Sequence, residues 1–158
     1  MQQVNTKVRE MVLNHLQGSG QRNLEKNFHE LIEDDGGFIE RFPFFTPKLP
    51  ESAKDHFLIS GCSAGTEFFV ARDFGFRSVT GVEISQELVD TCKARIAEEP
   101  DFHVSLYDGQ HLPYDNDSFS MIYSGHVIEH TPSPFNYFRE HFRVLRPGGF
   151  FYLEFPNR

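Results

Sequence analysis

The sequence predicts a doubly wound α/β domain with a mostly parallel sheet of five strands, preceded by N-terminal helices. Three observations carry this prediction. From His56 onward, short apolar runs alternate with helical stretches, the pattern of parallel strands joined by right-handed crossovers. The first apolar run leads into a glycine-rich turn, Ser60-Gly61-Cys62-Ser63-Ala64-Gly65-Thr66. The second ends on a carboxylate, Glu83, 18 residues past Gly65.

Each element has its own signal. Val4, Val8, Met11, Val12 and Leu16 recur at helical steps, and Gly18-Ser19-Gly20 interrupts them. A second helix is expected from Asn23, with Leu24, Phe28, Leu31 and Ile32 on one face and Asp34-Asp35-Gly36-Gly37 at its end. Arg41 to Pro50 holds three prolines and reads as an extended connector. Residues 1–50 are therefore expected as a helical region with a Pro/Phe-rich connector, and residues 51–158 as the main domain. The aromatics of Phe42-Pro43-Phe44-Phe45 suit either a lid over an apolar ligand or cover for the sheet. Next come a strand at Phe57-Leu58-Ile59, a helix ending near Phe74, and a strand over residues 78–82. Ser85 is expected to cap a helix running through Ala97. Strands follow over residues 102–106 and 119–123. A helix opens at Ser133-Pro134 and runs through Leu145; Pro147-Gly148-Gly149 is expected as a turn, and residues 150–155 as the fifth strand.

Composition narrows the function. A chain of 158 residues can bury a real core. Its net charge of −8 argues against a nucleic-acid backbone as partner. Two cysteines, Cys62 and Cys92, make no disulfide framework. No signal-peptide pattern opens the chain, and no apolar run reaches the ~18 residues of a membrane span. A cytoplasmic location is the simplest expectation; the oligomeric state is not readable.

In an open parallel sheet, ligands bind at the carboxyl ends of the strands, where the strand order reverses. Four segments fall there. Gly61 and Gly65 let the backbone turn tightly and approach a ligand, with the next helix N-terminus offering free N–H groups. Glu83 can accept hydrogens from both hydroxyls of a ribose. Asp108, in Tyr107-Asp108-Gly109-Gln110, can accept from an exocyclic amine. Ser124-Gly125-His126 follows the fourth strand. Taken singly, each segment also reads as an ordinary turn or a solvated acid.

Residues His56 to Asn157 resemble class I S-adenosylmethionine-dependent methyltransferases, in particular the subgroup acting on small molecules. The resemblance is carried by Leu112-Pro113-Tyr114-Asp115 through Asp117-Ser118-Phe119 to Ser124, by Val127-Ile128-Glu129-His130, and by Arg143-Val144-Leu145-Arg146-Pro147-Gly148-Gly149-Phe150. It implies a Rossmann-like fold, S-adenosylmethionine as methyl donor, S-adenosylhomocysteine as product, and a small-molecule acceptor. It further implies that Gly61, Cys62, Ser63 and Gly65 meet the methionine portion and that Glu83 holds the ribose. Ile84 then contacts the adenine face, Asp108, Gly109 and Gln110 meet the adenine, and Ser124 and His126 lie beside the methyl. His126 and His130 are the candidate general bases for a hydroxyl acceptor, His126 ahead of His130, which Thr131-Pro132 follows directly. No metal is expected.

The chain departs from the family pattern at Ile59, where an acid is usual, and at Ser63, where glycine is usual. Ser63 is small and is expected to fit with its backbone in the usual region. The family's sheet ends in an antiparallel hairpin that this sequence does not reach, so a C-terminally truncated domain is expected. Three other readings fit parts of the pattern. A cofactor-binding module without catalysis keeps the same site. A nicotinamide-dependent oxidoreductase suits Glu83 but wants G-x-G-x-x-G. His126 to His130 matches the zinc-peptidase pattern H-x-x-E-H, which needs a sustained helix and a third ligand.

Overall fold

Five strands run parallel in the order β3-β2-β1-β4-β5. They are β1 (His56–Ser60), β2 (Ser78–Glu83), β3 (Phe102–Leu106), β4 (Phe119–Gly125) and β5 (Leu145–Glu154). These and all following details come from a computed structural model that describes residues 46–156. The chain divides into two units, Met1–Lys48 and Leu49–Arg158, and the sheet belongs to the second. The helices expected between Val4 and Phe38, and the connector up to Phe45, lie outside the described residues.

The chain lays down β1, β2 and β3 in one direction across the sheet. It then returns to place β4 and β5 on the other side of β1. The order therefore reverses between β1 and β4, where Ser60 pairs with Ser124. This is the doubly wound parallel sheet that the strand-helix alternation predicts. The inner strands are covered on both faces, which is why Phe57-Leu58-Ile59 and Met121-Ile122-Tyr123 read as unbroken apolar runs.

Three helices lie in the crossovers β1–β2, β2–β3 and β4–β5, and the β3–β4 crossover holds none. α1 (Thr66–Asp73) buries Phe68, Phe69, Val70 and Ala71, and the rings of Phe68 and Phe69 meet Phe102 edge to face. α2 (Gln86–Arg95) starts at Ser85, whose hydroxyl accepts from the Leu88 amide at 3.4 Å, as its cap role requires. α3 (Pro134–Val144) has Ser133 as its cap and proline in its first turn. Leu58, Val82, Leu112, Phe119, Ile122, Val144 and Leu145 form a buried apolar cluster that locks α3 to the sheet.

The element ends differ from expectation in one informative place. Pro147-Gly148-Gly149 does not separate α3 from β5. The strand starts directly at Leu145, opposite Phe119, and the next partner of β4, Met121, faces Phe150. Two steps along β4 thus match five along β5, and the proline-glycine segment is a bulge inside the strand, with Gly148 at φ 76°. The periodicity of the apolar residues registers this segment only as an interruption. The helices from Ser85 and Ser133 also end earlier than expected, at Arg95 and Val144, and β5 stops at Glu154.

Candidate active site

The turn after β1 is built from main-chain geometry. Gly61 and Cys62 both donate their amides to the Val82 carbonyl, at 2.9 and 3.1 Å, which folds the loop over the end of β2. Gly61 and Gly65 have φ of 76° and 81°. A Cβ on Gly61 would stand 2.4 Å from Val127 Cγ2, and one on Gly65 would stand 2.5 Å from Cys92 Sγ. Backbone angle and space therefore both exclude a side chain at these two positions.

Ser63 corrects the sequence reading. Its backbone is in the left-handed region, at φ 47°, and not in the usual one. That conformation costs a non-glycine residue about 1–2 kcal/mol. The Ser63 amide donates to Glu83 Oε2 at 3.0 Å, a charge-assisted bond that offsets part of the cost. Cys62 brings no side chain to the crevice. Its thiol is buried against Gly81, whose Cβ would stand 2.5 Å from the sulfur. A hydrogen bond with the Cys92 thiol, reinforced by burial, pushes the Cys62 thiol far up, so it stays protonated.

Glu83, the last residue of β2, is buried and receives three amides. Oε2 accepts from Ser63, and Oε1 accepts from Ile84 at 2.8 Å and from Ser85 at 3.1 Å. A carboxylate has about four lone-pair positions, so roughly one is left for a ligand. Beside it, Ile84 is 66% exposed. Gly109 lies against it, since a Cβ there would stand 3.8 Å from Ile84 Cγ2. Asp108 opens a turn in which Oδ1 accepts from the amides of Gln110 and His111, both at 2.7 Å, and Oδ2 meets His111 Nδ1 at 3.1 Å. The His111 and Gln110 amides, then the His111 ring, hold the Asp108 carboxyl down at about 2.

At the end of β4 the construction changes to side chains. Ser124 is fully buried, and its hydroxyl meets Tyr137 OH at 2.6 Å. Tyr137 OH donates to Ser60 Oγ at 3.0 Å, and Ser60 Oγ lies 3.0 Å from His141 Nε2. His141 Nδ1 lies 2.7 Å from the Tyr137 carbonyl. Burial pushes His141 down to about 4 and Tyr137 up to about 12, so both are neutral near pH 7. The sequence places Ser60 at the start of the glycine-rich turn without a role for its side chain, and it singles out neither Tyr137 nor His141. Tyr137 and His141 are one helical turn apart and read as core, and nothing local signals a partner 77 or 81 residues away.

His126 follows β4 with φ 55° and a side chain 45% exposed. Its ring lies between two carboxylates, Glu129 at 3.5 Å from Nδ1 and Glu154 at 3.5 Å from Nε2. Its amide donates to the Glu154 carbonyl at 2.9 Å, which ties the turn to the end of β5. Ile128–His130 is a 3-10 turn, not the sustained helix that a zinc-binding H-x-x-E-H pair needs. Further along, Arg143 donates to the carbonyls of Leu112 and Tyr114 at 2.9 and 2.7 Å and pairs with Glu140 at 2.8 Å. This latch orders the segment after Asp108.

The carboxyl ends of β1, β2, β3 and β4 thus carry a left-handed glycine turn, a buried acid beside an exposed isoleucine, an Asx turn and a strained histidine. Comparison with known proteins identifies the family. Residues 58–153 match the model of a methyltransferase domain family. The chain is 34% identical over 104 residues to 27-O-demethylrifamycin SV methyltransferase of Amycolatopsis mediterranei, covering 64% of this chain and 38% of that protein. It is 36% identical over 106 residues to methyltransferase GfsG of Streptomyces halstedii, covering 65% and 38%. The chain therefore spans well under half the length of these curated relatives. Among solved structures, a putative methyltransferase of Haloferax volcanii, in complex with the Trm112 methyltransferase activator, is similar with a TM-score of 0.65 and 25% identity, covering 77% of this chain and 55% of that one. A putative S-adenosyl-L-methionine-dependent methyltransferase from Methanococcus maripaludis shares the fold, with a TM-score of 0.65 at 16% identity over 81% of this chain and 60% of that one. With its fold and the match of the family model over more than half of its residues in agreement, this chain belongs to the methyltransferase domain family, whose methyl donor is S-adenosylmethionine.

Proposed function

We propose that this chain binds S-adenosylmethionine across the carboxyl ends of β1 to β4 and serves methyl transfer to a small-molecule acceptor. The observation that carries the reading is the join between the glycine turn and Glu83, made by the Ser63 amide at the point where strand order reverses. The residues fit the cofactor. The open turn of Gly61, Cys62, Ser63 and Gly65 offers main-chain atoms to the methionine portion. Glu83 has one acceptor position open for a ribose hydroxyl, and a second opens if the Ser63 amide lets go. The exposed face of Ile84, beside Gly109, suits an adenine ring, with Asp108 and Gln110 at its edge.

When bound, the sulfonium supplies an already activated methyl group. The chain's own task is then to align and to exclude water, effects that together supply as much as roughly 7–11 kcal/mol of a barrier. His126 takes the proton of a hydroxyl acceptor at the ring nitrogen where the acceptor displaces one of the two carboxylates, while the carboxylate beside the other nitrogen, Glu129 or Glu154, accepts from its N–H and orients the ring. Ser124 contributes through its main chain, because its hydroxyl is committed to Tyr137.

Calorimetric titration with S-adenosylmethionine, S-adenosylhomocysteine and NAD tests the binding half. Binding of NAD alone overturns it. Transfer of a labelled methyl group to a panel of small hydroxyl compounds tests the rest. His126→Ala is expected to lower turnover by about 10²–10⁴-fold. A second reading, a binding module without catalysis, is favoured by the side chains at the end of β4, of which His126 alone is exposed. Tight cofactor binding with no transfer to any acceptor selects it.

A further inference from the structure

The buried hydroxyls at the reversal point have a fixed direction. A carbonyl only accepts, so His141 Nδ1 must carry the hydrogen that meets the Tyr137 carbonyl. Being neutral, His141 then presents a lone pair at Nε2, and Ser60 must donate to it. The Ser60 oxygen is left to accept from Tyr137 OH. The Tyr137 oxygen in turn accepts from Ser124. Every hydrogen in the chain Ser124→Tyr137→Ser60→His141 is thereby assigned, and no member is left unpaired.

The location gives the arrangement its meaning. Ser60 immediately precedes Gly61 of the glycine turn, and Ser124 lies two residues before the strained His126. The two serines are register partners on adjacent strands. A purely structural contact between α3 and the sheet at this point would be served by apolar side chains, which need no such matching. Instead a single buried hydroxyl bridges the ends of β1 and β4, where the strand order reverses.

We infer that Tyr137 is a positioning residue: its hydroxyl clamps the end of β1 to the end of β4, and so sets the spacing between the glycine turn and His126. This rests on the cofactor reading above, because the spacing matters only if one ligand meets both ends. His141 keeps the clamp directional by presenting its Nε2 lone pair to Ser60. The clamp makes a demand that simple packing does not: losing the hydroxyl should weaken ligand binding more than it weakens the fold.

The test compares Tyr137→Phe with Val144→Ala, a buried α3 variant away from the crevice. Melting temperature and affinity for S-adenosylhomocysteine are measured for each. Tyr137→Phe is expected to weaken binding about tenfold well below its melting temperature, and Val144→Ala to leave it unchanged despite a comparable or larger loss of stability. If Tyr137→Phe does not fold, Ser124→Ala removes one end of the clamp and is expected to weaken binding about threefold. Wild-type affinity in the folded hydroxyl variant, or affinity that falls in step with stability in both α3 variants, overturns the clamp alone. A wild-type chain that binds no S-adenosylhomocysteine overturns the cofactor reading and the clamp with it.

Discussion

The two sides of the reversal point are built from different materials. On the β1–β2 side, the site is main chain: amides of Gly61, Cys62, Ser63, Ile84 and Ser85 converge on the Val82 carbonyl and the Glu83 carboxylate. On the β4 side, the ordering comes from side chains, with Ser124, Tyr137, Ser60 and His141 linked through the core. Main-chain sites tolerate changes of side chain but not of backbone angle. Side-chain networks tolerate backbone variation but not the loss of a single partner.

The sharpest way to break the comparison is to add one methyl group on the main-chain side. Gly61→Ala must take a left-handed φ and find room beside Val127 Cγ2. The expected loss is about 3 kcal/mol of stability, from the backbone and overpacking together. Affinity for S-adenosylhomocysteine should fall by more than about 100-fold. Near-wild-type values in calorimetry and thermal melts would mean that the loop geometry is not what binds.

The side-chain region should answer to pH instead. Folding lowers His141 to about 4 from the ordinary 6.5, with burial as the main cause. As pH falls, the unfolded chain therefore takes up this proton first. Stability from this group is intact above about 6.5, is lost progressively down to about 4, and levels off below. A drop of that size corresponds to about 3 kcal/mol. Asp108 stays ionised to about 2, so the contribution of its turn is lost only below the ordinary carboxylate range, in a separate window. Urea unfolding at several pH values should show the steeper decline between 6.5 and 4 in wild type and not in His141→Gln. Parallel curves would place His141 outside a neutral buried role.

Glu83 joins the two kinds of construction, being a side chain that holds main-chain amides. Glu83→Gln is expected to cost about 2 kcal/mol, or roughly 30-fold, in affinity for S-adenosylhomocysteine. A lower melting temperature with unchanged affinity would reduce Glu83 to a strut for the loop. The smallest effect is expected at Ser63. Ser63→Gly relieves the left-handed strain but gains freedom in the unfolded chain, for a net stabilisation of about 0.5–1 kcal/mol read by thermal melts. A loss of stability there would show that the serine side chain contributes something beyond its backbone position.

The same division decides what the sequence could reveal. The sheet was legible because buried parallel strands leave apolar runs, and Ser85 and Ser133 mark helix starts through local hydrogen bonds. The glycine turn and Glu83 were legible because main-chain chemistry forces residue type at fixed spacing. Ser63 was not, since no composition rule distinguishes a serine in the left-handed region from one in the usual region. Its strain shows only where the Glu83 carboxylate meets its amide. Tyr137 and His141 stayed hidden because their partners lie 77 and 81 residues away, and an aromatic at helical spacing signals core. Pro147-Gly148-Gly149 reads as a turn in the sequence although it forms a bulge, because a left-handed glycine such as Gly148 serves both.

The most direct measurement is a calorimetric titration of the 158-residue chain with S-adenosylhomocysteine, run beside NAD and beside Gly61→Ala. One-to-one binding of S-adenosylhomocysteine, no heat with NAD and none with the variant is the predicted result. Binding of NAD, no binding of S-adenosylhomocysteine, or a variant that binds as tightly as wild type would contradict it.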